Sequence, residues 1–352
     1  MENGPGVNML KGLGQETEAA EETAARLRRA RWFKLLGTLA SATLFALSLT
    51  VLYFVIGELD SAQVKAAFAR ASGEQIMLAI FFTAISYLML TGYDWVALRE
   101  VTVQKISYRI AALASFTSYA VSFTLGFPLL TAATVRYWIY SSVGLGASAI
   151  ASLTLIAGIT FWLGMGVVFG LVMIFQPASA GTFTRLPVSM NLLIGVAVFA
   201  AILFYLFLVR NNRRRFIVRG WRLRLPSFPV TLKQMILGAI DVCAGAAVLW
   251  VLLPPDAHVP FATMLAAYVF AVVLGIASHA PGGIGVFEAT MLLALPGVPR
   301  GELLGALLVY RLVYYLLPFI LALILLGTRE IMLRAGMLQR QLESQPAPDR
   351  EE

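Results

Sequence analysis

The feature that most restricts this chain is a series of apolar stretches, too long for a soluble fold, that recurs along its length. Six of them, at 33–57, 75–98, 148–175, 190–210, 232–253 and 302–327, exceed the roughly 18 residues a helix needs to cross about 30 Å of hydrocarbon. In that layer a backbone has no water to bond to, so such stretches cross as helices. Charged residues make up 13% of the chain and hydrophobic residues 59%, which leaves too little polar surface to cover a soluble globule. The mean hydropathy of +0.80 says the same. The expected fold is all-α: a polytopic integral membrane protein with about six to eight full spans. One membrane domain at 31–330 is expected, between a disordered cytoplasmic N-terminal tail at 1–30 and a cytoplasmic C-terminal tail at 331–352.

Two further apolar stretches are broken near their middles. Gly126 and Pro128 interrupt 110–145, and Pro281, Gly282 and Gly283 interrupt 261–296. Glycine and proline end helices, so each stretch reads as a pair of short helices. Basic loop residues favour the cytoplasmic side. The strongest marker is the run Arg210, Arg213, Arg214, Arg215, Arg219, Arg222 and Arg224, joined by the cluster Arg26 to Lys34, by Arg99, Lys105 and Arg109, and by Arg329, Arg334 and Arg340. The loops at 176–189 and 254–260, with one basic residue and none, suit the outside. All these assignments hold together only if each broken stretch begins and ends on one side. Each is therefore a re-entrant hairpin, the first opening to the cytoplasm and the second to the outside. The order span, span, hairpin, span then occurs twice in opposite orientation, as in an inverted repeat. Ten full crossings would give the same loop sidedness and stand as the alternative.

Ionisable groups inside hydrocarbon are costly and mark polar paths. Five qualify: Asp94 in TGYDW, Arg136 in TAATVRYWIY, Asp241 in ILGAIDVCAG, Glu288 in PGGIGVFE and Arg311 in VYRLVYY. Each has a plainer role available. Arg311 with Asp241 would make a structural ion pair, Asp94 would sit at the interface near Arg99, and Glu288 would be a charge in a helix first turn. The backbone N–H groups of Gly282, Gly283 and Gly285, ahead of a helix, suit an anionic oxygen such as a lipid phosphate, although any tight membrane hairpin needs the same glycines. Gly166 and Gly170 read as helix packing. Cys243, the single cysteine, reads as core packing. His258 and His279 are too far apart and too poorly partnered for a metal site, and the chain has no phosphate-binding loop, nucleophile elbow or zinc-protease motif. No cofactor, metal or nucleic acid is expected. The net charge of +8 lies beside spans, where anionic lipid headgroups are nearest.

PGGIGVFEATMLLAL, the YD of Tyr93 and Asp94, VRYWIY and YRLVYYLLP at 310–318 together resemble the lysylphosphatidylglycerol synthase transmembrane family, and most of all the flippase part of the multiple peptide resistance factor. The resemblance implies translocation of aminoacylated phosphatidylglycerol from the inner to the outer leaflet of a bacterial cytoplasmic membrane, which repels cationic antimicrobial peptides. It carries over Asp94, Arg136 and Glu288 as functional charges, with Arg311 a weaker match. Full-length members continue into further spans and a soluble aminoacyl-transferase domain, whereas this chain ends at Glu352; no transferase activity is expected of it. The partners implied are anionic and aminoacylated phospholipids, a separate synthase and further copies of the chain. In the site expected from the sequence, Glu288 and Asp94 engage the amine while Arg136 and the 282–285 backbone hold the phosphate. Transport of an isoprenoid- or glycan-linked lipid, or a scaffolding role for a synthase, are the rival readings.

Overall fold

A computed structural model describes residues 61–343 except 127, 212–214, 219, 220, 225, 279 and 280, together with 43 and 50. The stretch at 33–57 apart from 43 and 50, the N-terminal segment with its basic cluster, His279 and the last residues of the C-terminal segment lie outside the described residues.

Five of the long apolar stretches are helices of spanning length: α2 (Gly73–Val101), α5 (Ala147–Phe175), α7 (Val188–Arg210), α8 (Phe228–Val251) and the final helix across Arg300–Leu333. This last one divides into α11 (Arg300–Tyr310), a π-helical turn at Arg311–Leu316 and α12 (Leu317–Glu343). It remains helical well past residue 330, because the sequence there is rich in Arg, Leu, Met and Gln, all good helix formers. Two short helices appear where the sequence suggests none: α1 (Ser61–Arg70) and α6 (Pro177–Thr184). The basic segment after α7 holds a small antiparallel ribbon of β1 (Arg215–Val218) and β2 (Trp221–Arg224), with Phe216 opposite Leu223.

Both broken stretches are helical hairpins. The first joins α3 (Tyr108–Leu125) to α4 (Pro128–Ser141). Gly126 ends α3 at φ 78°, a conformation a Cβ would strain, and Pro128 suits a first helical turn. The second joins α9 (Phe261–Ala277) to α10 (Val286–Ala294) through a short 3₁₀ turn at Pro281–Gly283. Gly282, Gly283 and Gly285 all have positive φ. At 1.5 Å per residue neither α4 nor α10 is long enough to cross about 30 Å.

Hydrogen bonds between loops show which ends lie together. Gln104 donates to Val143 O, Ser227 N–H donates to Glu100, and Arg329 donates to Ser142 Oγ. The basic loops therefore gather at one end of the bundle. At the other end Gln75 donates to Leu253 O and Arg70 to Gly301 O. The first hairpin starts and finishes at the basic end, the second at the opposite end, and their tips meet inside. A Cβ added to Gly282 would lie 3.3 Å from Phe123 O and 3.7 Å from Thr124 O. Two full crossings per stretch would put the tips on opposite faces, so the ten-crossing alternative fails here.

The frame around the hairpins depends on close helix approach. A Cβ at Gly164 of α5 would sit 2.4 Å from the Cα of Gly238 in α8, which only a backbone-to-backbone crossing produces. Gly170 has a similar place against Phe199 of α7, at 2.6 Å, while Gly166 has looser room beside Ile202, at 3.4 Å. Small residues of this kind let membrane helices pack closely. Replacing Gly238 by leucine should separate α5 from α8 and cost about 1–3 kcal/mol by overpacking. A fall in the melting temperature of the detergent-solubilised protein, larger than for Gly305→Leu, where nothing lies within 4 Å of an added Cβ, is the expected result.

Candidate functional site

Between the hairpins lies a cavity of about 580 Å³. The first hairpin lines it with Tyr119, Phe123 and Arg136, the second with Tyr268, Gly282 and Phe287, and α8 adds Asp241. Leu129, Leu130 and Trp162 also line it and are among the exposed large hydrophobic side chains. The mouth is therefore apolar and opens sideways between α4 and α5, while the inner wall carries the charges.

Arg136 and Asp94 form a fully buried pair, with side chains 1% and 0% exposed. Arg136 Nε donates to Asp94 Oδ2 at 2.9 Å and Nη2 donates to Oδ1 at 2.8 Å, the forked geometry that suits a guanidinium to a carboxylate. Tyr140 OH donates to the same carboxylate at 3.0 Å, and the guanidinium lies over the Tyr119 ring at 5.0 Å. Asp94 is thus not an interfacial neighbour of Arg99; α2 carries it into the core, where α4 supplies its partner.

Glu288 and Arg311 form a second pair, half-open, with side chains 22% and 17% exposed. Arg311 Nε donates to Glu288 Oε1 at 2.7 Å and Nη1 donates to Gly282 O at 2.5 Å. The other oxygen, Glu288 Oε2, accepts the N–H of Gly285 at 2.7 Å. One carboxylate thereby caps the first turn of α10 and neutralises an arginine from the π turn, a widened turn of the sort found at functional positions.

These contacts change the roles expected from the sequence. The ion pair between Arg311 and Asp241 does not form, because Arg311 turns to Glu288 on the neighbouring hairpin. Neither Asp94 nor Glu288 presents a free carboxylate to an amine, since each is held by an arginine. The N–H of Gly285, expected to receive phosphate, is occupied by the protein's own carboxylate. Gly282 and Gly283 line the cavity. Asp241, 3% exposed, accepts from Ser86 Oγ at 2.5 Å and from Tyr93 OH at 3.2 Å, and among the described residues no lysine or arginine pairs with it.

The sequence profile described as the lysylphosphatidylglycerol synthase TM region matches residues 36–322. The chain belongs to that family. Similar proteins include the uncharacterized protein slr0712 of Synechocystis sp., 32% identical over 271 residues that cover 77% of this chain and 84% of that protein. The inner membrane protein YbhN of Escherichia coli is 29% identical over 266 residues, covering 74% and 82%. A phosphatidylglycerol lysyltransferase of Staphylococcus haemolyticus is 24% identical over 309 residues, 84% of this chain but 34% of the enzyme. This member of the lysylphosphatidylglycerol synthase TM family thus spans about a third of that lysyltransferase.

The hydroxyl partners Ser86 and Tyr140 escape a reading of the sequence that looks for charges. The only signal is that each is a polar atom inside an apolar stretch. For the family member described here, removing one half of the buried Arg136–Asp94 pair leaves an uncompensated charge and should cost about 3–5 kcal/mol. Arg136→Met and Asp94→Leu should each lower the melting temperature sharply, while the double variant should recover part of the loss; additive losses would show that the pair is not coupled.

Proposed function

We propose that this chain is a lipid translocase that moves aminoacylated phosphatidylglycerol, such as lysylphosphatidylglycerol, from the inner to the outer leaflet of a bacterial cytoplasmic membrane, and thereby protects against cationic antimicrobial peptides. The observation that carries the reading is the cavity: charges on its inner wall and an apolar sideways mouth fit a lipid whose headgroup enters while its tails stay in the bilayer. Membership of a family named for lysylphosphatidylglycerol synthase supports this choice of lipid.

In this reading Arg136 receives the phosphate, held in place by Asp94, Tyr140 and the Tyr119 ring. A guanidinium aligned in advance forms paired hydrogen bonds to phosphate oxygens at little further ordering cost. The Glu288–Arg311 pair joins α10 to the π turn and holds the second hairpin's tip against the first. The two hairpins serve as opposed halves of an inverted repeat, so that the cavity could open to either leaflet by movement of one tip against the other. The basic end of the bundle faces the cytoplasm, and the basic residues of the N- and C-terminal segments assign both chain termini to that side of the membrane. Lipid made by a separate synthase on that side is the cargo, and further copies of the chain are partners in the same reading.

The test is performed in bacteria that make lysylphosphatidylglycerol from a separate synthase. With this chain present, the share of that lipid reached by an amine-reactive reagent that does not cross the membrane should rise. Glu288→Gln and Arg136→Ala, at equal protein levels, should return it to the level without the chain. Arg136→Lys should give intermediate exposure, because a lysine keeps the charge and loses the fork. Unchanged exposure in all three variants would refute the translocase site and favour a scaffold for the synthase.

A further inference from the structure

Among the described residues the Asp241 carboxylate has no charged partner, and it lines a cavity. The two arginines near the hairpins are committed elsewhere: Arg136 to Asp94 and Arg311 to Glu288. What Asp241 has instead is a chain of hydroxyls. Ser86 Oγ donates to Asp241 Oδ1, so its own acceptor lone pair is left for Tyr314 OH, 2.9 Å away. Tyr268 OH and Tyr314 OH both lie over Gly245, where an added Cβ would be 2.4 Å from the first and 3.1 Å from the second. Tyr310 OH follows at 3.1 Å from Tyr268 OH.

The groups around Asp241 can be taken element by element. Tyr93 and Tyr87 approach from α2, Tyr268 from α9, Tyr314 from the π turn and Cys243 from α8 itself. Across the cavity stand Tyr119 of α3 and Arg136 of α4. All but Arg136 are uncharged at neutral pH, and Arg136 is neutralised by Asp94. A carboxylate in such surroundings cannot stay charged and alone. It must hold a proton or a cation. The rings of Tyr119, Phe161, Trp162, Tyr268 and Tyr314 share the cavity wall with it, and aromatic faces attract an ammonium group.

We propose that Asp241 is an exchange site, holding a proton when the cavity is empty and a primary ammonium group when one enters. The step balances as Asp241–COOH plus R–NH₃⁺ giving Asp241–COO⁻ paired with R–NH₃⁺ plus one released proton; no covalent bond other than O–H changes. This inference deepens the headgroup reading, since it replaces Asp94 and Glu288 by Asp241 as the partner of the amine. Its consequence is that movement of an amine-bearing headgroup through the cavity is tied to counter-movement of a proton, which makes a proton gradient the energy source.

The experiment uses the purified full chain in detergent at neutral pH in weak buffer, with a pH-sensitive dye and tryptophan fluorescence, to which Trp162 in the cavity wall contributes. Three probes are added in turn: lysylphosphatidylglycerol, phosphatidylglycerol and butylammonium ion. The two amines should change the fluorescence saturably and release up to one proton per molecule bound, in proportion to the share of Asp241 that starts protonated, as competition for one carboxylate requires; phosphatidylglycerol should release none. Asp241→Asn, which keeps the shape, can accept from Ser86 through its amide oxygen and can donate to the Tyr93 hydroxyl oxygen through its amide nitrogen, should release no proton and bind the amines about tenfold more weakly. Asp241→Glu should restore release. Amine binding without proton release, undiminished release from Asp241→Asn, or no response to either amine by wild-type protein would each overturn the proposal. Proton release with butylammonium but no exposure of lysylphosphatidylglycerol in bacteria would leave Asp241 as an amine site and sink the lipid assignment instead.

Discussion

A helix broken inside hydrocarbon frees backbone groups that lipid cannot satisfy, so a membrane protein can afford such a break only where other protein covers it. Two breaks are present in this chain, and each helps to cover the other. The turn at Gly282 lies against the last carbonyls of α3, at Phe123 and Thr124. Arg311 takes the Gly282 carbonyl, and Glu288 takes the Gly285 N–H. The tip-to-tip contact lets both hairpins stop midway, and the space beside it is the cavity. Without it, α4 and α10 would be short helices with open ends in lipid.

The placement of charge follows from the same arrangement. Each half of the fold has an acid in the long helix before its hairpin, Asp94 in α2 and Asp241 in α8. In the first half the returning arm of the hairpin carries Arg136, which neutralises that acid. In the second half the returning arm carries an acid, Glu288, which takes Arg311 from the following helix. Asp241 is left without a cation for that reason. Two neighbourhoods built from the same order of elements therefore differ in chemistry: one holds a preset guanidinium and the other a carboxylate supported by hydroxyl groups.

Much of this was legible in the sequence. Among the described residues, apolar length sets the long helices to within a few residues, except at the far end of the last one, which continues to Glu343, because crossing hydrocarbon leaves little choice of element. The hairpins follow from parity, since Arg99, Lys105, Arg109 and the run after Arg210 must share a side; the bonds Gln104 to Val143 and Ser227 to Glu100 place those loops together. Which charges pair was not legible. Asp94 and Arg136 are 42 residues apart, Asp241 and Ser86 155 apart, and only helix packing decides such meetings. Arg311 read as a partner for Asp241 on α8 and instead takes Glu288 on α10, and the π turn that aims it has no clear mark in the sequence. The ribbon at 215–224 was hidden by its arginines, which read as loop, although Phe216, Ile217 and Val218 favour a strand.

The central claim is that hairpins from opposite ends of the bundle meet at their tips. The most direct measurement is cross-linking of Thr124→Cys with Gly282→Cys in a Cys243→Ser background, using an oxidant or a short bifunctional maleimide in membranes. The account predicts an intramolecular cross-link in high yield, absent from either single variant and from a control that pairs Thr124→Cys with Gly301→Cys. Failure to cross-link in protein with a normal melting temperature, while both cysteines react with a water-soluble maleimide from opposite membrane faces, would contradict it.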